Sequence, residues 1–462
     1  MKALKRIKNI HFIGIGGSGM IGIAKLLIKK GFNVSGSDIT KTIELRNLAS
    51  LGAKVSYQHK KNNIKTNTDL VVVSSAIGKR NIEILESKKK GITIIPRAEM
   101  LSSIMRDYES IVIAGSHGKT TTTSMIAEIF NEAAKSPTYV VGGKVLSTNE
   151  NSDLGTGDYL IAEADESDGS FLRLYPDIAV ITNIDDDHLL FYKNSFEKLL
   201  NAFVLFSENI PFYGYLVVNI DDKNIRKILK KISRKIVTFG FSKDADYVLN
   251  QDKYNNGKAY FTITSKQHKN KKFKFTSKLP GIHNIYNAGA SAVIAFEEKL
   301  DPKDIYKGIK NFDGVGRRYQ KHSIKLKNKK FTLIDDYGHH PVEVDSNIKA
   351  IKEEFKDSNI TMIFQPHRFS RTAQLFHEFI KVLKQVDTLI VLDVYAASEK
   401  PIKGINSKTL VESIKQEGHL SVHHIQTEAE VIAFIKDQAD LEILVTQGAG
   451  NISNITSKII NL

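Results

Sequence analysis

The sequence predicts an α/β protein of three domains: a Rossmann-like first domain, a central mononucleotide-binding domain of the P-loop type and a Rossmann-like third domain. Short apolar segments of strand length alternate with amphipathic segments of helix length, which is typical of parallel sheets covered by helices. A glycine-rich loop follows an apolar strand and opens a helix at two separate places. The chain of 462 residues is long enough for about three domains of roughly 150 residues each.

The elements are predicted in the following order. The first domain contains strand Ile7–Ile13, helix Ser18–Lys30, strand Asn33–Ser37, helix Ile43–Ser50 and strand Asp69–Ser74. The central domain contains strand Ile111–Ala114, a helix ending at Ala134, strands Tyr159–Ala162 and Ile178–Thr182, and an antiparallel hairpin within Tyr247–Phe275, where the hydrophobic period is two. The third domain contains strands Phe331–Asp335, Asn359–Gln365, Thr388–Val394 and Leu441–Thr446. We therefore predict domains at residues 1–106, 107–321 and 322–462.

The composition is that of a globular protein and excludes several chemistries. Hydrophobic residues make up 41% and charged residues 25%, and the chain has no cysteine. Disulfides, thiolate zinc sites and cysteine nucleophiles are therefore excluded. The longest apolar runs, such as Leu70–Val73, are far shorter than the ~20 residues that span a bilayer, so we expect a cytoplasmic protein without membrane insertion.

The net charge is strongly positive, because 66 Lys and Arg residues outnumber 51 Asp and Glu residues to give +15. Such a balance is compatible with nucleic acid or with anionic substrates. The lysines are spread along the chain, however, and no aromatic–basic motif accompanies them. We interpret the charge as a solvated surface and expect no nucleic-acid partner.

The first glycine loop is predicted to bind a nucleotide that contains a diphosphate. Gly14, Gly16, Gly17, Ser18 and Gly19 follow the first strand and open the first helix. Glycines let the backbone approach a pyrophosphate, and the helix N-terminus supplies N–H donors. Asp38 lies at the end of the second strand, where a carboxylate accepts hydrogen bonds from a ribose. The loop alone leaves the identity of the nucleotide open.

The second loop is predicted to bind ATP or GTP. It consists of Gly115, Ser116, His117, Gly118, Lys119, Thr120 and Thr121. In this pattern backbone N–H groups surround phosphate oxygens, Lys119 reaches the terminal phosphates and Thr120 ligates Mg²⁺. The usual first glycine of the longer motif is replaced by Ile113, so the loop is a shorter variant.

Two acidic segments that follow successive strands of the chain are candidates for metal binding. Glu163 ends the strand that begins at Tyr159, where P-loop sites draw a further Mg²⁺ ligand. The acids that follow it, including Glu166, are interpreted as a solvated loop. His188 follows the next strand, and a second metal ion or the substrate is its expected partner.

In the third domain, two clusters follow strands and open helices: Asp335–Pro341 and Gln365–Arg371. Open α/β sheets bind ligands at the carboxyl ends of their strands. Arg368 and Arg371 are three residues apart, so they share a face if the helix already includes both. Two guanidinium groups on one face are suited to grip a carboxylate or a phosphate.

The combination of motifs resembles the Mur ligase family from end to end. The segments that carry the resemblance are Gly14–Gly19, Gly36–Asp38, Ser74–Ile77, Pro96–Met100, Gly115–Thr123, Glu163–Asp168, His283–Asn287, Gly316–Arg318, Asp335–Pro341, Gln365–Arg371 and Gly448–Ile452. The resemblance implies that the first domain binds a UDP-sugar, the central domain ATP and the third domain an amino acid. It also implies that UDP-N-acetylmuramate and L-alanine are the substrates and that the protein is a monomer or a weak homodimer.

The resemblance further assigns roles to individual residues. Ser74 and Ser75 join the first loop and Asp38 at the UDP-sugar. Asn284 and Asn287 contact ATP, as do Arg317 at the phosphates and Asp336 at the ribose. Tyr337, His339, Arg368 and Arg371 bind the amino acid, while Thr120, Glu163 and His188 bind metal. Lys119, His188, His339 and Arg371 are the expected catalytic residues, with His339 as candidate proton acceptor for the amine.

The reaction implied by the resemblance joins a carboxylate to an amine at the expense of ATP. The lactyl carboxylate of the sugar attacks the γ-phosphate and forms an acyl phosphate and ADP. The amine of L-alanine then attacks the acyl carbon, and phosphate leaves through a tetrahedral intermediate. The residues come from three domains, so we expect domain closure to accompany catalysis.

The sequence departs from the family pattern at two places, and three other functions remain open. Leu189 and Leu190 follow His188 where the family usually has Met and Asp, and Ser116 replaces the commoner Thr. A related ligase that attaches a tripeptide to the same sugar uses the same chemistry. A nicotinamide-dependent dehydrogenase would explain the first loop alone, and a nucleic-acid motor would explain the second loop and the charge.

Overall fold

The computed structural model describes residues 4–148, 150–186, 189, 191–255, 257–326, 329–418, 421–438 and 440–462. The chain folds into two compact units. The first comprises Met1–Asp252, Tyr260–Ser277 and Ile285–Asp313, and the second comprises Lys253–Ala259, Lys278–Asn284 and Gly314–Leu462. Three sheets, each combined with helices, give the mixed α/β architecture that the sequence predicts. No helix in the described part of the chain is both long and apolar enough to cross a bilayer.

The first sheet has five parallel strands in the order β3-β2-β1-β4-β5. Its strands and helices are β1 (Asn9–Ile13), α1 (Ser18–Lys29), β2 (Asn33–Ser37), α2 (Ile43–Ser50), β3 (Lys54–Ser56), β4 (Leu70–Val73), α3 (Ile82–Lys89), β5 (Thr93–Pro96) and α4 (Arg97–Met105). The order reverses beside β1, so the loops after β1 and β4 face one crevice. Ligands of open α/β sheets bind in such a crevice.

The second sheet has ten strands in the order β15-β14-β13-β12-β11-β10-β6-β9-β7-β8. Its elements are β6 (Glu109–Ala114), α5 (Lys119–Glu132), β7 (Thr138–Val145), β8 (Glu150–Asp153), β9 (Tyr159–Glu163), β10 (Ile178–Ile181), α6 (Phe196–Glu208), β11 (Tyr215–Asn219), α7 (Lys223–Ile228), β12 (Lys235–Gly240), β13 (Tyr247–Asn255), β14 (Lys258–Ser265), β15 (Lys271–Ser277), α8 (Ile282–Glu297) and α9 (Pro302–Asn311). The central strand β6 lies between β9 and β10 and is parallel to both. The phosphate loop therefore lies between the loops that follow those two strands.

The third sheet has six strands in the order β16-β17-β21-β18-β19-β20. Its elements are β16 (Gln320–Leu326), β17 (Lys329–Asp336), α10 (Pro341–Glu354), β18 (Ile360–Phe364), α11 (Phe369–Gln374), α12 (Phe376–Leu383), β19 (Thr388–Val391), α13 (Ser407–Gln416), β20 (Val422–His424), α14 (Glu428–Asp437), β21 (Ile443–Gln447) and α15 (Ile452–Ile460). Only β16 runs antiparallel to its neighbour among the described strand pairs. The loops after β17, β18 and β21 thus meet at one edge.

Most predicted elements lie within a few residues of the observed ones, but eight of the described strands were not predicted: β3, β5, β7, β8, β11, β12, β16 and β20. The strands β3, β8 and β20 have only three or four residues and are partly polar, so their hydrophobic pattern is weak and neighbouring strands define them. Strand β11 is apolar and wholly buried, so its omission is not explained by a weak pattern. The segment predicted as one hairpin contains three strands, β13, β14 and β15.

Candidate functional site

The first glycine loop closes the end of β1 against the loop after β4. Gly14 has a φ of 78°, and a Cβ there would lie 3.0 Å from the Cβ of Ser74. The left-handed conformation and the close approach both require glycine. Gly17 precedes α1, and no side chain caps that helix start in the described structure. The predicted UDP-sugar residues Gly14, Gly16, Gly17, Gly19, Ser74 and Ser75 therefore lie at the crevice beside β1, and the backbone of Ser18 begins α1 there.

Asp38 is bound to the glycine loop itself. Its carboxylate accepts a hydrogen bond from the Gly16 N–H at 2.8 Å, and from the N–H and hydroxyl of Thr40 at 3.0 and 2.7 Å. Burial opposes the charge, but these hydrogen bonds outweigh it and lower the pKa of Asp38. The Asp38 carboxylate is therefore ionised and holds the glycine loop in place. Its predicted contact with a ribose would use the lone pairs that remain.

A cavity of about 180 Å³ opens beside this loop. Gly17, Gly19 and Ser74 line it from the first sheet, together with Arg97 at the start of α4. Glu163 lines it from the end of β9, along with its near neighbour Asp165. The crevice beside β1 and the acidic end of β9 therefore share one cavity.

The phosphate loop is held in shape by the segment that follows β10. Asn183 accepts a hydrogen bond from the His117 N–H at 2.8 Å and donates one to the His117 carbonyl at 3.0 Å. The Thr182 hydroxyl also donates to that carbonyl, at 2.7 Å. Gly115 has a φ of 130°, and a Cβ there would overlap the Thr182 hydroxyl. Asn183 is not among the site residues predicted from the sequence, because its role depends on which strand neighbours β6.

Asn287 lies against the same loop, as the ATP prediction requires. The Thr122 hydroxyl donates to its side-chain oxygen at 3.2 Å. A Cβ on Gly118, whose φ is 82°, would overlap that oxygen. Asn284, the other predicted asparagine, belongs to the second unit and donates to the Pro280 carbonyl at 2.7 Å.

Lys119 forms a buried ion pair with Glu166. The Lys119 Nζ lies 3.0 Å from Glu166 Oε1, and the Glu166 side chain is only 3% exposed. Burial opposes the charge on Lys119, but the carboxylates of Glu166, Asp165 and Glu163 outweigh it and raise the pKa of the lysine. Glu166 therefore lies at the phosphate loop. The prediction of a solvated acidic loop is wrong for this residue.

Glu163 fits a metal ligand. Its Oε2 atom is buried and has no hydrogen-bond partner within the described chain, and a carboxylate oxygen is a donor that Mg²⁺ prefers. Thr120 is the second residue of α5, directly after Lys119. His188, predicted as a metal ligand and catalytic residue, lies outside the described residues, so its assignment stays a prediction.

In the second unit, Asp336 and Arg317 form hydrogen bonds and an ion pair with nearby segments of the same unit. Asp336 accepts hydrogen bonds from Tyr319 N–H at 2.8 Å, Gly338 N–H at 2.7 Å and the Gln447 amide at 2.9 Å. Burial raises the pKa of Asp336 despite these donors. Arg317 pairs with Asp335 at 3.3 Å and donates to the Gly448 carbonyl at 2.6 Å.

The two predicted acceptor arginines lie at the start of α11, but not as consecutive helical positions. Arg368 precedes the helix with a φ of 71°, while Arg371 lies within it and is 6% exposed. The sequence predicted a shared helical face only if the helix included both arginines. Arg368 lies outside α11, so this condition is not met. Burial raises the pKa of Glu399, but hydrogen bonds from Ser370 and the charges of Arg368 and Arg371 outweigh it. The pKa of Glu399 is therefore lowered.

His339 lies in a cluster of rings with Tyr337 and His367. The ring centres of His339 and Tyr337 are 5.6 Å apart, and those of His339 and His367 are 5.2 Å apart. Burial lowers the pKa of His339 to about 3, so its imidazole is neutral near pH 7. His367 was part of a predicted cluster but not of the predicted site, and the structure brings it to His339.

Comparison with known proteins agrees with this geometry. Three family models match consecutive segments: "Mur ligase family, catalytic domain" over residues 9–109, "Mur ligase middle domain" over 113–295 and "Mur ligase, glutamate ligase domain" over 317–450. A UDP-N-acetylmuramate–L-alanine ligase of Psychrobacter cryohalolentis is 43% identical over 98% of this chain and 94% of that protein. This chain belongs to the Mur ligase family.

Solved Mur ligases share the fold over nearly the whole chain. A crystal structure of UDP-N-acetylmuramate-alanine ligase MurC from Thermotoga maritima has a TM-score of 0.83 at 28% identity and covers 98% of both chains. A murein peptide ligase from Psychrobacter arcticus has a TM-score of 0.73 at 21% identity over the same share. The three-domain α/β architecture predicted from the sequence is thereby confirmed for this Mur ligase.

Proposed function

We propose that this Mur ligase joins L-alanine to the lactyl carboxylate of UDP-N-acetylmuramate and converts ATP to ADP and phosphate. The observation that carries the proposal is the 43% identity to a UDP-N-acetylmuramate–L-alanine ligase along 98% of the chain. Three structural features support the proposal: a glycine loop at the uncapped start of α1, a second glycine loop at the start of α5 and a pair of arginines before and within α11. The proposed step belongs to peptidoglycan precursor synthesis.

Activation of the carboxylate is assigned to the first unit. A carboxylate that approaches a triphosphate meets like-charge repulsion, so positive charge must be present before transfer to the γ-phosphate. Lys119 supplies that charge, because the acids around it keep it protonated. The Asn183 clamp on His117 and the position of Asn287 keep the loop open for phosphate oxygens.

Mg²⁺ is the proposed metal, held by Thr120, Glu163 and His188. When bound, it neutralises charge on the triphosphate. The unpaired buried oxygen of Glu163 supports this proposal, because such an oxygen is costly unless a cation or a donor reaches it. Thr120 contributes a hydroxyl at the first turn of α5.

Recognition of the amino acid is assigned to the second unit. Arg368 and Arg371 are proposed to bind the alanine carboxylate, which leaves the amine directed toward the acyl carbon. Tyr337 and His339 line the same place. His339 is the proposed proton acceptor: it is neutral and so has a free lone pair, although a pKa of about 3 makes it a weak base in this arrangement.

Product analysis tests the function. Purified chain with Mg²⁺ is expected to release phosphate from ATP only when UDP-N-acetylmuramate and L-alanine are both present, and mass spectrometry should detect the alanylated nucleotide. The tripeptide substrate of the related recycling ligase should give much less product. Phosphate release that follows the tripeptide instead would make the chain a recycling ligase, and no release with either acceptor would reject the ligase proposal.

Replacing Arg368 tests the amino-acid site. Arg368→Ala is expected to raise the KM for L-alanine about 10- to 100-fold, because a charge-assisted contact to the carboxylate is worth roughly 1.5–3 kcal/mol. The KM for ATP should change less than twofold. Lys381→Ala removes an exposed cation from α12 of the same unit and serves as the control. An increase confined to the KM for ATP would place Arg368 elsewhere.

Three further assignments remain proposals. The domain limits at residues 1–106, 107–321 and 322–462 are retained from the sequence. A cytoplasmic location follows from the proposed substrates, since UDP-sugars and ATP are made and used there. We expect a monomer or a weak homodimer, which sedimentation analysis would test.

A further inference from the structure

Arg97 places a positive charge in the cavity beside the glycine loop, and the proposed function gives this residue no role. Arg97 is the only basic residue among the described residues that line this cavity. Its guanidinium makes no hydrogen bond and no ion pair with any part of the chain that the structure describes. Its charge acts on Asp165, which lines the same cavity, and helps to lower the pKa of that carboxyl. A guanidinium carries five donors, so such a group is placed to bind an anion.

The position of Arg97 relative to α1 indicates which anion. A Cβ on Gly19 would overlap the Arg97 Nη1 atom, so the guanidinium rests on the first turn of α1. Gly19 thus makes room for the arginine, in addition to any role in approaching a ligand. The N-terminus of α1 carries no side-chain cap in the described structure, and it is the place where a diphosphate binds in this loop type.

Two carboxylates also line the cavity and make a cation necessary for anion binding. Glu163 and Asp165 line the same cavity and repel an anionic ligand. A diphosphate carries about two negative charges, so its binding beside two carboxylates requires a cation in the same space. Lys119 does not supply it, because it is paired with Glu166 and does not line this cavity. Arg97 does line it.

We propose that Arg97 binds the diphosphate of the UDP-sugar across the first turn of α1. The proposal rests on the function proposed above and adds a residue to its substrate site. A guanidinium forms two parallel hydrogen bonds to adjacent phosphate oxygens, and the backbone N–H groups of the glycine loop hold the opposite side. Arg97 therefore determines affinity for the shared uridine diphosphate portion and not for the lactyl group.

Titration of the full-length protein with three ligands tests this assignment. Arg97→Gln is expected to raise the Kd for UDP-N-acetylmuramate, UDP-N-acetylglucosamine and UDP by about 10- to 100-fold, and by the same factor for each within about twofold. The Kd for ADP at the phosphate loop should remain at the wild-type value. Arg97→Lys keeps the charge but loses the fork, so an intermediate increase is expected. Arg106→Gln removes an exposed arginine at the other end of α4 and is the matched control.

Several results would overturn the assignment. An unchanged Kd for UDP in Arg97→Gln would show that the arginine does not contact the diphosphate. A loss confined to UDP-N-acetylmuramate would mean that Arg97 contacts the lactyl carboxylate instead. If Arg97→Gln also weakens the binding of ADP, the Kd of Arg97→Lys for UDP decides whether the arginine contacts the diphosphate. A wild-type Kd for UDP in Arg97→Lys would exclude a contact through two parallel hydrogen bonds. A wild-type chain that binds none of the three uridine nucleotides would count against the proposed function itself.

Discussion

Lys119→Ala is expected to reduce ligase turnover by at least about a thousandfold, because the phosphate loop contains no other cation for the terminal phosphates. Release of ADP and phosphate under saturating substrates is the measurement. Lys135→Ala removes an exposed lysine just beyond the end of α5 and should leave turnover within twofold of wild type. Near-normal turnover of Lys119→Ala would refute the assignment of the loop.

The ion pair with Glu166 allows a sharper version of this experiment. Removing Lys119 alone leaves a carboxylate that is 3% exposed without its partner, which should lower stability by about 3–5 kcal/mol. Lys119→Met combined with Glu166→Gln removes both charges, so thermal stability should return toward wild type while turnover stays lost. Recovery of turnover in the double variant would mean that the single variant failed through misfolding and not through the loss of a catalytic charge.

Glu83→Gln is expected to remove a large part of the acid sensitivity of the first domain. Glu83 is fully buried at the second position of α3 and accepts from His11, the Ser37 hydroxyl and Asn63. Burial raises its pKa, but these hydrogen bonds and the Lys60 N–H more than compensate and lower it from 4.5 to about 2.

The sign of the pH effect follows from that shift. A carboxyl whose pKa is lower in the folded state stabilises the fold fully above the unfolded value, and this contribution is lost as the pH falls from about 4.5 through about 2. A difference of this size corresponds to roughly 3 kcal/mol. Wild-type stability should therefore fall as the pH drops from about 5 toward 2, and the Glu83→Gln curve should be flatter over that range and lower near pH 7.

Thermal unfolding followed across pH 3–7, with hydrogen exchange of β1 and β2 as a local probe, measures this effect. Glu86→Gln on the same helix is the control: Glu86 pairs with Lys90 four residues later at 3.5 Å, and such helical pairs contribute less than about 0.5 kcal/mol. Parallel pH curves for wild type and Glu83→Gln would contradict the assigned role of the buried carboxylate.

Features that depend on neighbours along the chain were predictable. The two loops, the strands before them and the helices after them follow from hydrophobic period and glycine placement, both of which act over a few residues. Gly14, Gly115 and Gly118 adopt the positive φ values that such loops need. The predicted site residues Asp38, Glu163 and Asp336 lie at the carboxyl ends of parallel strands, and a sequence can place them there because the end of an apolar strand is a local feature.

Features that depend on strand order were decided by the tertiary structure. Glu166 lies 47 residues from Lys119 in the chain and Asn183 lies 66 residues from His117, and they meet because β9 and β10 flank β6. The same applies to Arg97, whose contact with Gly19 needs β5 and β1 in one sheet. The amino-acid sequence determines locally which loops form, whereas the partner of a buried charge depends on long-range strand neighbours, and only the burial of apolar surface across the whole sheet selects those.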